Sequence, residues 1–480
     1  MKIYKISLLL FMVCTFAACK KELSIQPEQN LSDQTVFTTK AGAQAALNGV
    51  YSTSQILEVF GGLPLIIGDY QADNVEFVGS FPTLQEIAQY NTLSVNTSIA
   101  PIWQNHYMVI LRANAIITRV PNITETGFTD VQKKQMVAEA KFMRAITYFQ
   151  LVNLFAQPYN CSQGTNLGVP ILLNEFTATK IEFPSRSSVN DVHKQISKDL
   201  EEALLDLPVS YGTASDTRGR ATKGAANGFI SRLHLYRGEW AAAATSASAV
   251  ISATPTYALA ANYAFYSGNT AEDVFTIEMS TTDNSRTGAG GLASYHRPTS
   301  SNGRGDAPFS TSLVNAFLQE PGDLRLNSSD SAVASDGPKR RFTLKYPDAK
   351  TNSDNSPVMR VTEMYLNQAE ALAQINDVNQ TSIDLINALR KRAGLPAWSL
   401  LTFLTKQDFI AGILNERRKE LAFEGHRRMD LLRNGLPLRS SGAAASISRP
   451  CVDPKVILPI PQREIDINPG MKGQQNVGYF

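Results

Sequence analysis

One run of residues in this chain combines charges with helical spacing: positions 415–435, NERRKELAFEGHRRMDLLRNG, called here the charged run. Steps of three or four residues from Ile410 place Arg417, Glu424 and Arg428 on one helical face among leucines and isoleucines. An ion that faces inward costs desolvation free energy unless a partner and hydrogen bonds meet it. The alternative is a row of solvated surface charges. The periodicity argues against that alternative and favours buried charges on one helical face.

No catalytic motif is recognisable in the sequence. The five histidines lack metal-ligand spacing such as HExxH, and the GxSxG, phosphate-loop and paired CxxC patterns are absent. Loop acids such as Asp69 and Asp73 would serve glycoside hydrolysis only if the fold held them about 5–10 Å apart. Asp348, Asn352 and Asp354 do not fit the spacing of a calcium loop. The sequence predicts a binding protein with no cofactor and no metal, and a surface hydrolase is the weakest alternative.

The elements that must position these residues are predicted to be mainly helical. Thr129 with Gln132 forms a capping box, and Trp103 lies at helical spacing that assigns it to a core. Small residues in the segment 238–251 allow the close helix contact of a tetratricopeptide-like pair. We therefore expect a mainly α fold, a tetratricopeptide-like scaffold of helical pairs with long inserted loops. The predicted helices cover residues 39–51, 189–207, 222–237, 238–251, 362–375 and 381–393 and begin also near Pro101, Thr129 and Asp408.

The N-terminal residues predict export. A basic start and a short apolar stretch lead to Ala17, Ala18 and Cys19. This order is typical of a bacterial lipoprotein signal peptide over residues 1–18, with Cys19 as the lipidated N-terminus. An ordinary secretory signal with an incidental cysteine is the alternative. Residues 19–38 are predicted to form a polar tether.

The charged run resembles the signature of the SusD/RagB family, the outer-membrane nutrient-binding lipoproteins of Bacteroidetes. The family pattern ERxxELxxEGxRxxDLxRxG is matched at Glu416, Arg417, Glu420, Leu421, Glu424, Gly425, Arg427 or Arg428, Asp430, Leu431, Arg433 and Gly435. The resemblance extends to residues 139–155 and 458–479 and so covers nearly the whole mature chain. The positions that it marks as a structural signature are Glu416, Arg417, Glu420, Glu424, Arg428, Asp430 and Arg433.

The resemblance also implies a division of the chain. The mature protein is expected to be one SusD-like domain whose parts are residues 39–260 as helical-pair scaffold, 261–357 as loop-rich ligand-binding insertion and 358–480 as signature region. A formal charge of +2 over 480 residues gives no basic surface for nucleic acid. Cys161 and Cys451 remain after processing, and their spacing leaves open whether they pair.

Two loops carry candidate ligand-binding side chains. Sugars offer apolar C–H faces and hydroxyls, so a site needs aromatic faces beside Arg, Asn or Asp. The long segment 282–309 is rich in glycine and serine, and disorder is the alternative to a binding role there. Its Arg-Gly-Asp tripeptide at 304–306 is too short to indicate adhesion. The candidates are Asp73, Asn74, Phe77, Phe81, Tyr90, Tyr295, His296 and Arg297.

The function that the resemblance implies is nutrient capture. A member of this family is a lipid-anchored protein of the outer membrane, facing the exterior, that binds an oligosaccharide and delivers it to a SusC-like TonB-dependent transporter. The helical repeats are the surface expected to meet the transporter. The alternative is a tetratricopeptide-type adaptor that binds proteins or peptides without a glycan ligand.

Overall fold

The computed structural model describes residues 36–175, 181–285, 290–439 and 451–479. Within these ranges the chain is mainly helical and its strands are short, which confirms the predicted fold class. The predicted signal peptide, Cys19 and nearly all of the tether lie outside the described residues. None of the helices in the described ranges is both long and apolar enough to cross a membrane.

Most of the described secondary structure is α-helix. The helices are α1 (Lys40–Ser54), α2 (Leu63–Tyr70), α3 (Pro82–Ala88), α4 (Ala100–Arg119), α5 (Asp130–Phe155), α6 (Val189–Asp206), α7 (Ala214–Gly219), α8 (Lys223–Arg237), α9 (Trp240–Ile251), α10 (Leu292–His296), α11 (Thr311–Leu318), α12 (Val361–Asn376), α13 (Gln380–Arg392), α14 (Lys406–Glu420), α15 (Arg427–Arg433) and α16 (Gln462–Ile467). The strands are β1 (Asp273–Ile277), β2 (Ser329–Val333), β3 (Lys339–Thr343) and β4 (Ser356–Arg360).

The long helices pack in pairs. Helix α4 packs on α5 and α5 on α6, while α8 packs on α9, α9 on α12 and α12 on α13. The predicted capping box of Thr129 and Gln132 opens α5, and Gly238 ends α8 in the left-handed region at φ 73°. Trp103 is buried in the main core, as predicted. A smaller core joins α12, α13 and α14 through residues such as Ile386 and Phe409.

The strands form two separate antiparallel pairs. Strand β1 pairs with β4, and Thr276 lies opposite Pro357. Strand β4 ends immediately before α12. Strands β2 and β3 form a hairpin in which Ser331 faces Arg341. Both pairs lie in the loop-rich part of the chain between α9 and α12. The amide of Phe309 in the candidate segment 282–309 donates to the carbonyl of Arg341 in β3, so the hairpin contacts that segment.

The charged run differs from the single helical face expected from its spacing. Helix α14 ends at Glu420, and α15 begins at Arg427. Phe423 and Gly425 between them have φ angles of 66° and 74°, in the left-handed region. Arg417, Glu424 and Arg428 are nevertheless buried, as predicted. The break divides the charged run between two helices, which are joined by the ion pair of Arg417 in α14 with Asp430 in α15.

Two further features go beyond what the sequence indicated. The segment 282–309, expected to be a long loop, contains the short helix α10 in its described part. Cys161 and Cys451, left open by the sequence, form a disulfide that links positions 290 residues apart. This bond ties the end of the first helical half to the C-terminal region.

Candidate functional site

Backbone hydrogen bonds bring the two candidate loops together. The amide of Glu76 donates to the carbonyl of Pro308 at 3.1 Å, and the amide of Val78 donates to the carbonyl of Asp306 at 2.9 Å. The loop before α3 and the loop between α10 and α11 therefore form one continuous surface. Nothing in the sequence indicated that the two loops meet.

Arg304 lies against two aromatic rings, that of Phe81 at the start of α3 and that of Tyr295 in α10. The guanidinium carbon of Arg304 is 5.1 Å from the ring centroid of Phe81 and 5.0 Å from that of Tyr295. Its Nε donates to Oδ2 of Asp306 at 2.9 Å, which orients the guanidinium. Phe81 is 49% exposed, while Arg304 and Tyr295 are half-buried. These three residues, called here the aromatic stack, combine ring faces with a charged donor, the combination that sugars require.

The phenol of Tyr295 is available as a hydrogen-bond donor at neutral pH. Burial raises its pKa above the ordinary tyrosine value, and the nearby Arg304 charge acts in the opposite direction. The hydroxyl of Tyr70 donates to the backbone carbonyl of Tyr295 at 3.4 Å. Helix α2 thus contacts the backbone of the residue that bears this ring.

Asp73 and Asn74 lie against the charged run instead of the aromatic stack. Arg427 donates from Nε to Asp73 Oδ1 at 2.6 Å, and Arg418 donates from Nε to Asn74 Oδ1 at 2.9 Å. Burial alone would raise the pKa of Asp73, but the hydrogen bonds and charge of Arg427 hold it below the ordinary aspartate value. Asn74 is fully buried. The binding role given to both residues stays a prediction.

Phe77 and Tyr90 support the same loop from within. The ring of Phe77 packs against that of Tyr70, with 4.8 Å between centroids. Tyr90 is buried, and its hydroxyl donates to the carbonyl of Gln71. Both side chains therefore hold the backbone that presents Phe81. Direct contact of either with a ligand stays a prediction.

His296 and Arg297 are buried beneath Tyr295. The Nδ1 atom of His296 is 2.9 Å from the carbonyl oxygen of Leu292. Arg297 pairs with Asp330 at 2.9 Å. These contacts leave Tyr295 as the half-buried member of the predicted trio, and ligand contact by the other two stays a prediction.

The charged run is a centre of buried ion pairs. Glu424 accepts from Arg360 at 2.7 Å and from Lys345 at 2.6 Å. Glu420 pairs with Arg392 at 2.8 Å, and Arg392 also pairs with Glu272 at 3.0 Å. Glu420 at the end of α14 thus binds a cation carried by α13, and Glu424 in the break binds cations carried by β4 and the loop after β3.

The remaining signature residues are also paired. The ion pairs and hydrogen bonds are Glu416 with Arg325 and Arg390, Arg417 with Asp430, Arg433 with Asp430 and Glu370, and Arg428 with the backbone carbonyls of Asn153 and Val456. All of these side chains are buried. The arrangement fits a structural role, because each inward charge has a partner.

Arg304 is the residue of the surface that sequence reasoning missed. It belongs to the Arg-Gly-Asp tripeptide that carried no weight as an adhesion motif. The available signal was an arginine close to an aromatic residue in a glycine-rich loop. That signal indicates a binding surface only when the fold places Phe81 next to Arg304.

Potential metal-ligating side chains do not converge in the described part of the chain. Within the four described ranges, no group of three or more His, Cys, Asp or Glu residues is placed to hold a metal ion. Asp348, one of the weak calcium candidates, accepts from the amides of Thr351 at 2.9 Å and Ser353 at 3.2 Å. Its carboxylate thus closes a local turn.

Similarity to known proteins extends over most of the chain. A family model described as "SusD family" matches residues 337–479, and one described as "Starch-binding associating with outer membrane" matches residues 32–235. SusD-like protein P25 of Formosa agariphila is 26% identical, covering 98% of both chains. SusD-like protein P2 of the same organism is 27% identical, covering 100% of both chains.

Solved structures share the fold. A SusD superfamily protein from Bacteroides thetaiotaomicron has a TM-score of 0.80 and 27% identity, covering 90% of this chain and 98% of its own. A laminarin-binding SusD-like protein has a TM-score of 0.72 and 23% identity, covering 92% of this chain and 100% of its own. The two family models together match more than half of the chain, over residues 32–235 and 337–479, and this chain belongs to the SusD family.

Proposed function

We propose that this protein is a lipid-anchored, exterior-facing outer-membrane lipoprotein that binds an oligosaccharide at the aromatic stack and delivers it to a SusC-like TonB-dependent transporter. The observation that carries the proposal is the meeting of Phe81, Arg304 and Tyr295 at one surface. The "Starch-binding associating with outer membrane" description of the matching family model supports it. So does the glycan ligand of the laminarin-binding relative.

Each member of the stack has a defined part in binding. The exposed face of Phe81 packs against the C–H face of a sugar ring, and Tyr295 adds a second face and a hydroxyl donor. Arg304, held by Asp306, donates to sugar hydroxyls without having to be ordered by the ligand. The remaining loop candidates shape the backbone beneath. No bond of the glycan is broken in this scheme.

The binding step is tested by comparing two exposed phenylalanines. Laminarin and starch oligosaccharides are titrated into the wild-type chain, Phe81→Ala and Phe183→Ala by calorimetry. Phe183 is 53% exposed and lies outside the stack, so it is a matched control. We expect Phe81→Ala to weaken binding by about tenfold, or about 1.4 kcal/mol, and Phe183→Ala to leave it unchanged. Equal affinities for wild type and Phe81→Ala would reject the stack as the binding surface.

The delivery step is tested in native outer membranes. The tagged lipoprotein is purified in mild detergent, and the proteins that accompany it are identified. A stoichiometric TonB-dependent barrel is the expected result. Intact, membrane-bound lipoprotein without a barrel would favour the alternative, an adaptor that binds proteins or peptides through its helical pairs. A Cys19→Ala variant is expected to lose membrane association, which tests the anchor.

A further inference from the structure

A pocket lies against the strand pair of β1 and β4, and no residue of the aromatic stack lines it. Its volume is about 290 Å³. One wall is the strand pair, and the other is formed by residues within 265–269 and 345–355. This volume is near the lower end of small-molecule sites, which suits a ligand of about one ring.

The strand pair turns one face to the core and the other face to this pocket. Phe275 faces the core, where its ring centroid lies 5.1 Å from that of Phe142. Between the pairs that Phe275 and Thr276 form with β4, the additional residue is Val358 of β4, so β1 keeps its alternation. Successive side chains of a strand point to opposite faces. Thr276 therefore points away from the core, and both Thr276 and Pro357, which lies opposite it, line the pocket.

The hydroxyl of Thr276 lacks a hydrogen-bond partner. The residue is 2% exposed, and its Oγ1 has no partner in the part of the chain that the structure describes. A threonine hydroxyl can donate one hydrogen bond and accept two. A buried hydroxyl that makes none of them costs free energy, which a ligand hydroxyl restores. Thr276 thus offers a recognition point for a hydroxylated molecule.

The charged groups that line the pocket balance one another. They are two carboxylates and two cations: Asp273, Asp354, Lys345 and Arg360. Asp273 lies opposite Arg360 in the strand pair, and the two cations both pair with Glu424, at 2.6 and 2.7 Å. Neither sign is in excess, so an ion that entered the pocket would lose its hydration without gaining a free partner. The pocket therefore suits a neutral ligand.

The wall opposite the strand pair offers an aromatic face and an ordered rim. The half-buried ring of Tyr266 lines the pocket and provides a face for the C–H groups of a sugar ring. At the rim, Asn355 Nδ2 donates to Asn269 Oδ1 at 2.9 Å, and Asn355 Oδ1 accepts from the amide of Met279 at 2.8 Å. Because these contacts already order the rim, a ligand does not have to order it on binding.

We propose that this pocket binds a neutral, polyhydroxylated ligand of about one ring, such as a single hexose. A ligand hydroxyl meets Oγ1 of Thr276, and the C–H face of the ring packs on Tyr266. This inference goes beyond glycan binding at the aromatic stack and does not depend on it, because the two sites share no residue. It gives the loop-rich region a second site, for a small uncharged sugar.

Sugars of one ring that differ in charge test the ligand class. Glucose, galactose, mannose, glucosamine and glucuronate are titrated at neutral pH into the Phe81→Ala variant, in which the stack contributes little, and binding is followed by saturation-transfer NMR. We expect at least one neutral hexose to bind about fivefold more tightly than either charged sugar. Absence of binding by all three neutral hexoses, or equal or tighter binding of a charged sugar, overturns the proposal.

Threonine-to-valine substitutions test the location in the same Phe81→Ala background. Thr276→Val is expected to weaken hexose binding about fivefold, while its melting temperature without sugar equals or exceeds that of its parent, because the lost hydroxyl had no partner. Thr147→Val is the matched control: Thr147 is also buried, but its hydroxyl donates to the carbonyl of Met143 at 2.6 Å, and hexose affinity is expected to stay unchanged.

A hydroxyl with a merely structural role would give the opposite result, a lower melting temperature with unchanged hexose affinity. Unchanged affinity in the folded Thr276→Val variant overturns the proposed position. Tyr266→Leu removes the aromatic face and is expected to weaken hexose binding several-fold. If Thr276→Val does not fold, Tyr266→Leu decides by the same criterion, and unchanged affinity in that variant overturns the position.

Discussion

Buried arginines are the residues on which this fold depends most directly. Arg360 is nearly inaccessible to solvent and lies between two glutamates, Glu272 just before β1 and Glu424 in the break between α14 and α15. A buried ion pair gives little net stabilisation compared with apolar packing, but removing one member leaves the other charge without compensation. Glu424 of the charged run and its buried partner Arg360 should therefore tolerate substitution poorly.

Replacing Arg360 tests this expectation. Arg360→Ala is expected to lower the free energy of unfolding by about 3–5 kcal/mol, because Glu272 and Glu424 stay buried with fewer partners. Arg340→Ala is the control, since Arg340 pairs with Asp336 near the surface, where such pairs contribute about 0–1 kcal/mol. Urea unfolding monitored by circular dichroism measures both. Similar losses for the two variants would mean that burial does not decide the effect.

For single residues, the sequence predicted which charged side chains face inward better than it predicted their partners. The inward direction of Arg417 and Glu424 could be predicted, because helical spacing depends on neighbouring positions alone. The pairing of Arg417 with Asp430 and of Glu424 with Arg360 could not be predicted, because those contacts depend on the tertiary fold. The same limit explains Arg304, whose contact with Phe81 joins loops more than 200 positions apart.

Elements with their own terminal signals were predicted most closely. Helix α5 begins at the predicted capping box, and α8 ends at the predicted Gly238. The break between α14 and α15 was missed because its cause is distant in sequence. An ideal Cβ added to Gly68 in α2 would lie 2.4 Å from the carbonyl oxygen of Gly425 in the break. Two glycines from different elements thus allow α2 to pack against the turn.

A methyl group at position 68 tests that contact. Gly68→Ala is expected to lower the free energy of unfolding by about 1–3 kcal/mol, because the added atom displaces the backbone of the break. The higher helix propensity of alanine offsets about 1 kcal/mol of the strain. Gly212→Ala is the control, since its added Cβ meets no atom within 4 Å. Thermal and urea unfolding give both values, and an unchanged Gly68→Ala variant would contradict the close contact.

The whole molecule is held together by contacts between distant parts of the chain. The disulfide joins Cys161 to Cys451, and β1 pairs with β4 across the loop-rich region. Sequence patterns predicted helical pairs because such pairs are local. They left the disulfide open and did not predict the joining of the two candidate loops, since both follow from how the complete chain folds.

Three histidines with lowered pKa values make the stability of the whole molecule depend on pH. Burial lowers the pKa of His106 and His426 to about 4 and that of His193 to about 3. Nearby charges add smaller effects, as Arg237 does at His193. In the unfolded chain each histidine has a pKa near 6.5. On acidification the unfolded state therefore binds protons before the folded state does.

The free energy of unfolding is consequently expected to fall as the pH decreases from about 6.5 to about 4. Each pKa difference of one corresponds to about 1.4 kcal/mol, so three histidines give a loss of several kcal/mol. Five carboxyl groups offset part of this loss, because their raised folded pKa values favour the folded state as they protonate: Asp69, Glu139, Asp273, Asp354 and Glu464. Urea unfolding at several pH values measures the sum, and His193→Gln should flatten the slope. Stability that is constant or rises on acidification across this window would show that the histidines take up protons without unfolding the chain.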